Sequence, residues 1–326
     1  MSTVHLLQGR SFEAAPDRTL LDAALDAGLH LEHSCRTGRC GTCKTRLLSG
    51  SVQTIAADTC LKPEDRAKGW ILTCADAADG DVSIEAEDLA RLAGLNARTL
   101  PARLDSIARL ADDVIYVMLR LPPTAAFKFL PGQYINVIAD GGLRRSYSLA
   151  EAPREDGKLE LMIRRVDDGA MSAYWFERAK PNDLLRIDGP RGSFFLRNVA
   201  GVDLRLLATG TGIAPIRALL TELVALPDAG QPRSVRLYWG GRTDQDLFWK
   251  PATEIDYVPV LSRADASWSG ARGHVQDVLL SEGGDLSNTQ VYACGSPAMI
   301  DSAQASLTAA GLPARAFFSD AFVSSE

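Results

Sequence analysis

The sequence predicts a multidomain protein in which α+β, all-β and α/β regions follow one another along 326 residues. Cysteines and a short amphipathic helix crowd the front. Short strands separated by Gly and Pro fill the middle, and strands alternate with helices beyond about residue 200. A chain of this length exceeds one ordinary core, and the shifts in pattern place the regions at 1–90, 98–199 and 200–326. No apolar run approaches the roughly 20 residues of a membrane span, and the start lacks a basic, then apolar, secretory leader. A formal charge of −6 argues against nucleic-acid binding. Five of the six cysteines lie in the first 74 residues. Without an export signal that fits metal ligation better than a disulfide framework, and points to the cytoplasm.

At the front, residues 3–15 alternate about a turn at Gln8-Gly9-Arg10, which predicts a hairpin. A helix follows from Thr19, with Leu20, Leu21, Ala24, Leu25 and Ala27 on one face and Gly28 as its stop. Past the cysteines, 45–50 and 51–55 read as a second hairpin, 62–68 as a short helix and 82–85 as a last strand. The sum is a small mixed sheet crossed by one helix.

Between helix and hairpin runs Cys35-Arg36-Thr37-Gly38-Arg39-Cys40-Gly41-Thr42-Cys43, and Cys74 follows later. This is the plant-type C-x4-C-x2-C…C spacing of a [2Fe–2S] cluster, which needs two thiolates on each iron. Gly38 and Gly41 supply backbone angles that a Cβ would obstruct. The Cys40/Cys43 pair alone would also fit a redox dithiol or half a zinc site, but a second CxxC is missing. His33 precedes the loop without the second Cys/His set of a Rieske centre. Cys60 falls outside the pattern and reads as a packed spectator. The loop is basic, with Arg36, Arg39, Lys44 and Arg46 and no acid from 35 to 46. Two accounts stand side by side: ordinary solvated charge, or a face that docks an acidic patch on an electron acceptor.

Residues 88–99 form a polar, alanine-rich linker. Strands are then expected at 102–108, 114–121, 133–139, 145–149 and 158–166, with Gly and Pro between them, and regularly spaced short strands predict an antiparallel barrel. Alternation places Arg145 and Tyr147 on one face of their strand, and Ser146 and Ser148 on the other. A guanidinium suits a pyrophosphate, an aromatic ring can cover a flavin, and a hydroxyl can bond its reactive nitrogen. Gly169, Met171 and Ser172 open a helix whose start attracts phosphate.

In the last region strands are expected at 202–208, 235–239, 258–261, 291–294 and 315–318, with helices at 213–226, 274–282 and 297–310. That alternation predicts a doubly wound parallel sheet. Gly210, Thr211 and Gly212 lead from a strand into a helix that buries Ile216, Leu219, Leu220 and Leu223. This suits a pyrophosphate, although Pro215 stands where a full G-x-G-x-x-G has its last glycine. Cys294-Gly295-Ser296-Pro297 repeats the arrangement at a later strand end, with Cys294 as a packed thiol beside the nicotinamide.

Taken in order, the cysteine spacing, Pro131-Gly132-Gln133-Tyr134, Arg145-Ser146-Tyr147-Ser148, Gly189-Pro190-Arg191-Gly192-Ser193-Phe194, GTGIAP and CGSP resemble the ferredoxin–NADP reductase superfamily, in its oxygenase-type arrangement with an N-terminal ferredoxin domain. The resemblance implies a β-grasp ferredoxin domain, an antiparallel FAD-binding barrel and a doubly wound parallel-sheet nucleotide domain. It implies FAD at Arg145, Tyr147, Ser148, Gly169, Met171 and Ser172, and NADH, with NADPH as the alternative, at Gly210, Thr211, Gly212, Cys294 and Gly295. Ser262, Arg263 and Arg242 are the groups that could serve a 2′-phosphate. Stretches such as Met171-Ser172-Ala173-Tyr174 and Asp320-Ala321-Phe322 are similar to CDP-6-deoxy-glucoseen reductases. Reductases of phenol, toluene and methane monooxygenases share the framework. Of the C-terminal aromatics Phe318 and Phe322, the second is expected against the flavin. The implied activity is hydride transfer from NADH to FAD and single-electron delivery through the cluster to a separate oxygenase component or deoxysugar dehydrase. Ser148 and Cys294 lie at the reacting centre, and Asp320 assists proton movement. The rival readings are a self-contained flavin NADH oxidase and a zinc-binding non-redox module.

Overall fold

The structure is a computed structural model describing residues 1–252 and 255–323. Met1–Asn96 with Gly192–Phe194 form one compact unit, and the remainder forms a second. Among the described residues no helix is long and apolar enough to cross a membrane.

The first unit contains β1 (Ser2–His5), β2 (Ser11–Ala14), α1 (Leu20–Asp26), β3 (Lys44–Thr54), α2 (Pro63–Ala67), β4 (Trp70–Leu72) and β5 (Asp76–Ile84). The sheet order is β2-β1-β5-β3-β4, with β1 and β5 parallel and the other pairs antiparallel. Thr19 caps α1 by accepting from the Asp22 N–H, which satisfies one of the first-turn donors. Its buried face is Leu20, Leu21, Ala23 and Ala24; Ala27 is exposed at the C-cap instead. The second expected hairpin is absent. Residues 44–54 run on as one strand because Gly50, at φ +88°, makes a bulge rather than a reversal. A Cβ there would stand 2.3 Å from the Asp81 carbonyl oxygen. Pairing begins at Asp76 rather than Val82, through an Ala/Asp/Gly run that strand propensity disfavours.

The second unit begins with β6 (Arg98–Ala111), β7 (Val114–Arg120), β8 (Tyr134–Ile138), β9 (Arg144–Ser148), β10 (Leu159–Arg164), the short α3 (Ala170–Ala173) and β11 (Leu184–Arg191). These strands form an antiparallel sheet, β10-β7-β6-β11-β8-β9. It closes into a barrel where Leu149, just past β9, bridges Leu161 of β10. Sequence patterning missed β11, whose Gly189-Pro190 looks like a break. It lies at a register shift against β8, and a bulge tolerates proline.

The chain then forms β12 (Asp203–Thr209), α4 (Ile213–Val224), β13 (Ser234–Gly241), β14 (Asp256–Leu261), β15 (Ala271–Arg272), α5 (Val275–Ser281), β16 (Thr289–Gly295), α6 (Pro297–Ala309) and β17 (Phe317–Ala321). All pairs in the order β15-β14-β13-β12-β16-β17 are parallel. The expected strand at 315–318 starts two residues later, because 314–316 form a 3₁₀ turn. From β12 the chain moves one way to β13, and later crosses back to β16 on the other side. Right-handed crossovers of opposite sense put α4 on one face and α5 and α6 on the other. The order reverses between β12 and β16, so a crevice opens at their carboxyl ends.

Candidate functional site

In the first unit the loop from Cys35 to Cys43 is shaped by its glycines. Gly38 has φ +69°, and a Cβ would meet the Ala57 carbonyl oxygen at 1.9 Å. Cys74 is brought up from β4 by a buried polar knot. Asp76, fully buried, accepts from the Leu72 N–H at 2.7 Å, the Thr54 hydroxyl at 2.7 Å and Arg66 at 3.1 Å. Arg66 also pairs with Asp58 at 2.6 Å, and the Thr73 N–H donates to the Cys43 carbonyl at 3.2 Å. The thiols meet two and two. Cys43 Sγ is 3.1 Å from Cys74 Sγ. Donation from Cys43 lowers the Cys74 pKa, as donation from Cys40 lowers that of Cys35 to about 4.

Two thiols apiece is what each iron of a two-iron cluster requires. A zinc ion needs four ligands on one point, and among the described residues no three metal-ligating side chains converge that way. The residues fit a [2Fe–2S] cluster. Cys60 stands apart; burial and Asp58 push its thiol up to about 11. The basic rim is partly neutralised at home. Arg36 pairs with Asp22 and Lys44 with Asp65, while Lys44 and Arg46 both lie over the Trp70 ring.

In the second unit the expected residues gather from distant strands. Ser148, at the end of β9, is buried and stands 3.5 Å from a carboxylate oxygen of Asp320 in β17. Asp320 is the register partner of Cys294 in β16. Burial, with Asp320 beside it, raises the Cys294 pKa well above its usual range, so this thiol is neutral. Gly212 and Gly295 make the crevice close-fitting. A Cβ on Gly212 would lie 2.2 Å from the Cys294 carbonyl oxygen, and one on Gly295 2.1 Å from Thr209 Oγ1. These glycines therefore serve the mutual approach of two strand ends. Gly210, at φ +54°, accepts from Trp239 Nε1 at 3.0 Å through its carbonyl, beside Thr211 in the same turn.

Arg145 and Tyr147 are half-buried on β9. Trp175 Nε1 donates to the Tyr147 hydroxyl at 3.0 Å, and burial pushes that hydroxyl's pKa up. Trp175 belongs to a π-helical turn, Tyr174–Arg178, that continues α3. In the turn before it, Ser172 Oγ accepts from the Val166 N–H at 2.9 Å. A Cβ on Gly169 would approach the Val166 carbonyl oxygen to 3.0 Å. Met171 is in the barrel core. The side chains of 171 and 172 thus build the turn. Phe318 stacks on Tyr292 with ring centroids 4.8 Å apart. Phe322 is exposed just past β17, its N–H donating to the Gly295 carbonyl.

Sequence patterning did not reveal the supporting residues Arg66, Asp76, Trp175, Glu160, Arg164, Arg217 and Asp246. Trp175, Arg164 and Arg217 have partners distant in the chain, and Arg66 and Asp76 pair across loop turns of irregular spacing, so no periodic pattern marks them; the turn at Thr243 offered at most a capping signal for Asp246.

Known proteins align with each part. Residues 4–78 match the 2Fe-2S iron-sulfur cluster binding domain, 101–196 the oxidoreductase FAD-binding domain and 206–305 the oxidoreductase NAD-binding domain. The CDP-6-deoxy-L-threo-D-glycero-4-hexulose-3-dehydrase reductase of Yersinia pestis is 42% identical over 325 residues, 98% of this chain and 97% of the relative. The terephthalate 1,2-dioxygenase reductase component 2 of Comamonas sp is 32% identical over 96% of this chain and 94% of its own. The crystal structure of an Amycolatopsis cytochrome P450 reductase superposes with a TM-score of 0.71 at 30% identity, covering 99% of both chains. With a 2Fe-2S domain, a closed FAD-binding barrel and a parallel-sheet NAD-binding region in that order, the chain belongs to the NAD(P)H-dependent iron–sulfur flavoprotein reductases of the ferredoxin–NADP reductase superfamily.

Proposed function

We propose that this reductase delivers electrons from NADH to a separate dehydrase acting on a CDP-linked 6-deoxyhexulose. The observation that carries the reading is the 42% identity to a dehydrase reductase along essentially the whole chain, against 32% to an oxygenase reductase. We assign the domains as 1–90, 98–199 and 200–326, which is supported by the matched segments falling inside them. We place the protein in the cytoplasm, where thiols stay reduced and available to iron.

Bound FAD supplies hydride acceptance, and the [2Fe–2S] cluster supplies single-electron release. Cys35, Cys40, Cys43 and Cys74 would hold the cluster, the thiols meeting as the pairs Cys35/Cys40 and Cys43/Cys74. Arg145 would grip the FAD pyrophosphate with its planar fork, and Tyr147, steadied by Trp175, would present its ring to the flavin. Met171 and Ser172 would offer backbone N–H groups to the same cofactor, while Gly169, whose N–H donates to the Val166 carbonyl at 3.1 Å, would shape the turn that presents them, and Phe322 would cover the ring from the C-terminal side. Gly210, Thr211, Gly212 and Gly295 seat the dinucleotide in the crevice. Ser148 would hold the reactive flavin nitrogen by a hydrogen bond, and its hydroxyl, 3.5 Å from Asp320, is placed to relay a proton to that carboxylate. Cys294, neutral and fully buried, shapes the nicotinamide floor without acting as a nucleophile.

NADH is favoured over NADPH by a cavity of about 260 Å³ lined by Thr243, Asp244, Arg263, Asp265 and Trp268. Ser267 donates to Asp265 through its hydroxyl and its N–H and lowers its pKa. Asp244 and Asp265 oppose a 2′-phosphate there while Arg263 attracts it, and the guanidinium of Arg272 is already engaged by the Ala264, Asp265 and Trp268 carbonyls.

The acceptor is tested by mixing the holoprotein with NADH, the Yersinia dehydrase and its CDP-hexulose substrate. NADH consumption that requires both dehydrase and sugar supports the reading. Consumption only with a terephthalate-type oxygenase component, or only with oxygen, overturns it.

A further inference from the structure

β10 carries two different surfaces. Leu159, Leu161 and Ile163 point into the barrel core, so alternation turns Glu160, Met162 and Arg164 outward. Glu160 and Met162 are nevertheless buried, at 2% and 5% exposure. At Glu160 the barrel supplies the carboxylate. Arg217, from the second turn of α4, pairs with Glu160 at 2.9 Å and with Glu151 at 2.8 Å; Arg154 also reaches Glu160, at 2.6 Å.

Four residues along the strand the polarity reverses and the barrel supplies the cation. Arg164 Nη1 donates to Asp246, in the turn after β13, at 2.9 Å and to Asp113 at 2.7 Å. Asp246 is itself fixed by the N–H groups of Arg242 at 2.8 Å and Thr243 at 3.2 Å. The 3₁₀ turn Gly210–Gly212 packs on β10, with the Arg164 guanidinium against Gly210: a Cβ there would stand 3.7 Å from Nε.

We propose that these two ion pairs of opposed polarity align the nicotinamide-binding turn with the flavin-binding strand. Arg164 and Glu160 are therefore positioning residues for hydride transfer. The inference rests on the proposed placement of FAD along β9 and NADH at Gly210–Gly212. Those residues come from different domains of one unit, so alignment is a property of the surface between them. The segment just past β9 is tied to β10 through the Ala150 N–H, which donates to the Glu160 carbonyl at 2.8 Å. A sliding movement along β10 would bring each charge toward a group of the wrong sign or none, so the reversed pairs define one register. Hydride transfer is sensitive to such register, since an ångström of misplacement can cost about 10²-fold in rate.

The test is anaerobic stopped-flow reduction of the holoprotein's flavin at saturating NADH, using Arg164→Gln, Asp246→Asn and the double variant. Each single variant should slow reduction by about 10- to 100-fold. The double variant should be no slower than the worse single one, because the pair acts as a unit. The NADH–flavin charge-transfer absorbance should weaken, and the kinetic isotope effect with 4-deuterated NADH should rise. Arg164→Lys, which keeps the charge, should recover part of the rate and covers the case in which Arg164→Gln does not fold. Thermal destabilisation with unchanged reduction rate and isotope effect would overturn the proposal. So would a rise in KM alone, which would make Arg164 a plain nucleotide contact. Thr211→Glu, which puts a negative charge where the pyrophosphate is proposed, is run alongside: if it leaves NADH binding intact, the placement of the nucleotide is what has failed.

Discussion

The cysteine loop and the crevice of the second unit are two ways to build a redox site. Three of the four cluster ligands lie within nine residues, and the fourth is secured by one buried knot around Asp76. The crevice instead joins Ser148 to Asp320 across 172 positions, with Cys294 on the strand between β12 and β17. A contiguous loop concentrates function in a few indispensable atoms. An assembled crevice distributes it over strand ends, each of which adjusts a distance. Substitutions in the first should act all or none, and those in the second by degrees.

Cys43→Ala is the sharpest test of the first half. One iron would lose one of its two thiolates, so the visible absorbance and reduced-state EPR signal of the cluster should vanish. Electron delivery to the dehydrase should fall below detection, while NADH-dependent ferricyanide reduction persists through the flavin. A variant that still supports dehydrase turnover would erase the contrast. In the crevice, Ser148→Ala should slow flavin reduction by about 10²-fold, the low end for a group that assists proton movement. Unchanged reduction would remove Ser148 from the mechanism. Cys294→Ala, acting on a neutral packed thiol, should cost less than Ser148→Ala in the same assay.

Legibility follows the same division. The 2Fe-2S domain was readable because its cysteines obey a spacing, and the glycines among them sit where φ is positive. The helix–strand alternation was readable because burial imposes a period. Gly50 misled because a bulge and a turn call on the same left-handed glycine, and only the partner strand β5 distinguishes them. β11 was hidden by Gly189-Pro190, tolerated at a shift in register. Glu160, Arg164, Arg217 and Asp246 carry no local signature, because an ion pair spanning 82 residues has no spacing to recognise. Contacts formed by tertiary structure alone are what the sequence conceals, and the crevice consists mostly of those.

A smaller effect probes whether the crevice is graded. Asp265→Asn removes one carboxylate from the cavity lined by Asp244 and Arg263 and should raise kcat/KM for NADPH relative to NADH by roughly tenfold, the scale of one partly screened charge. The ratio is read from initial rates with each nucleotide. No change would mean that the ribose of the dinucleotide lies elsewhere.

The smallest expected effect returns to the loop's basic rim, and there the all-or-none rule should break. An acidic acceptor face is the proposed counterpart of Arg36, Arg39, Lys44 and Arg46. Arg36 and Lys44 already pair with Asp22 and Asp65, however, so much of their field is cancelled before any partner arrives. Steering by a full basic patch raises association rates by 10- to 1,000-fold; the partly neutralised rim should sit near the low end, about tenfold, lost as ionic strength shortens the Debye length. Measured second-order reduction of the acceptor should therefore fall gently with salt, and Asp65→Asn, which frees Lys44, should steepen the fall. A salt-independent rate in both proteins would remove the rim from docking, leaving the loop's charge as solvated surface around the cluster.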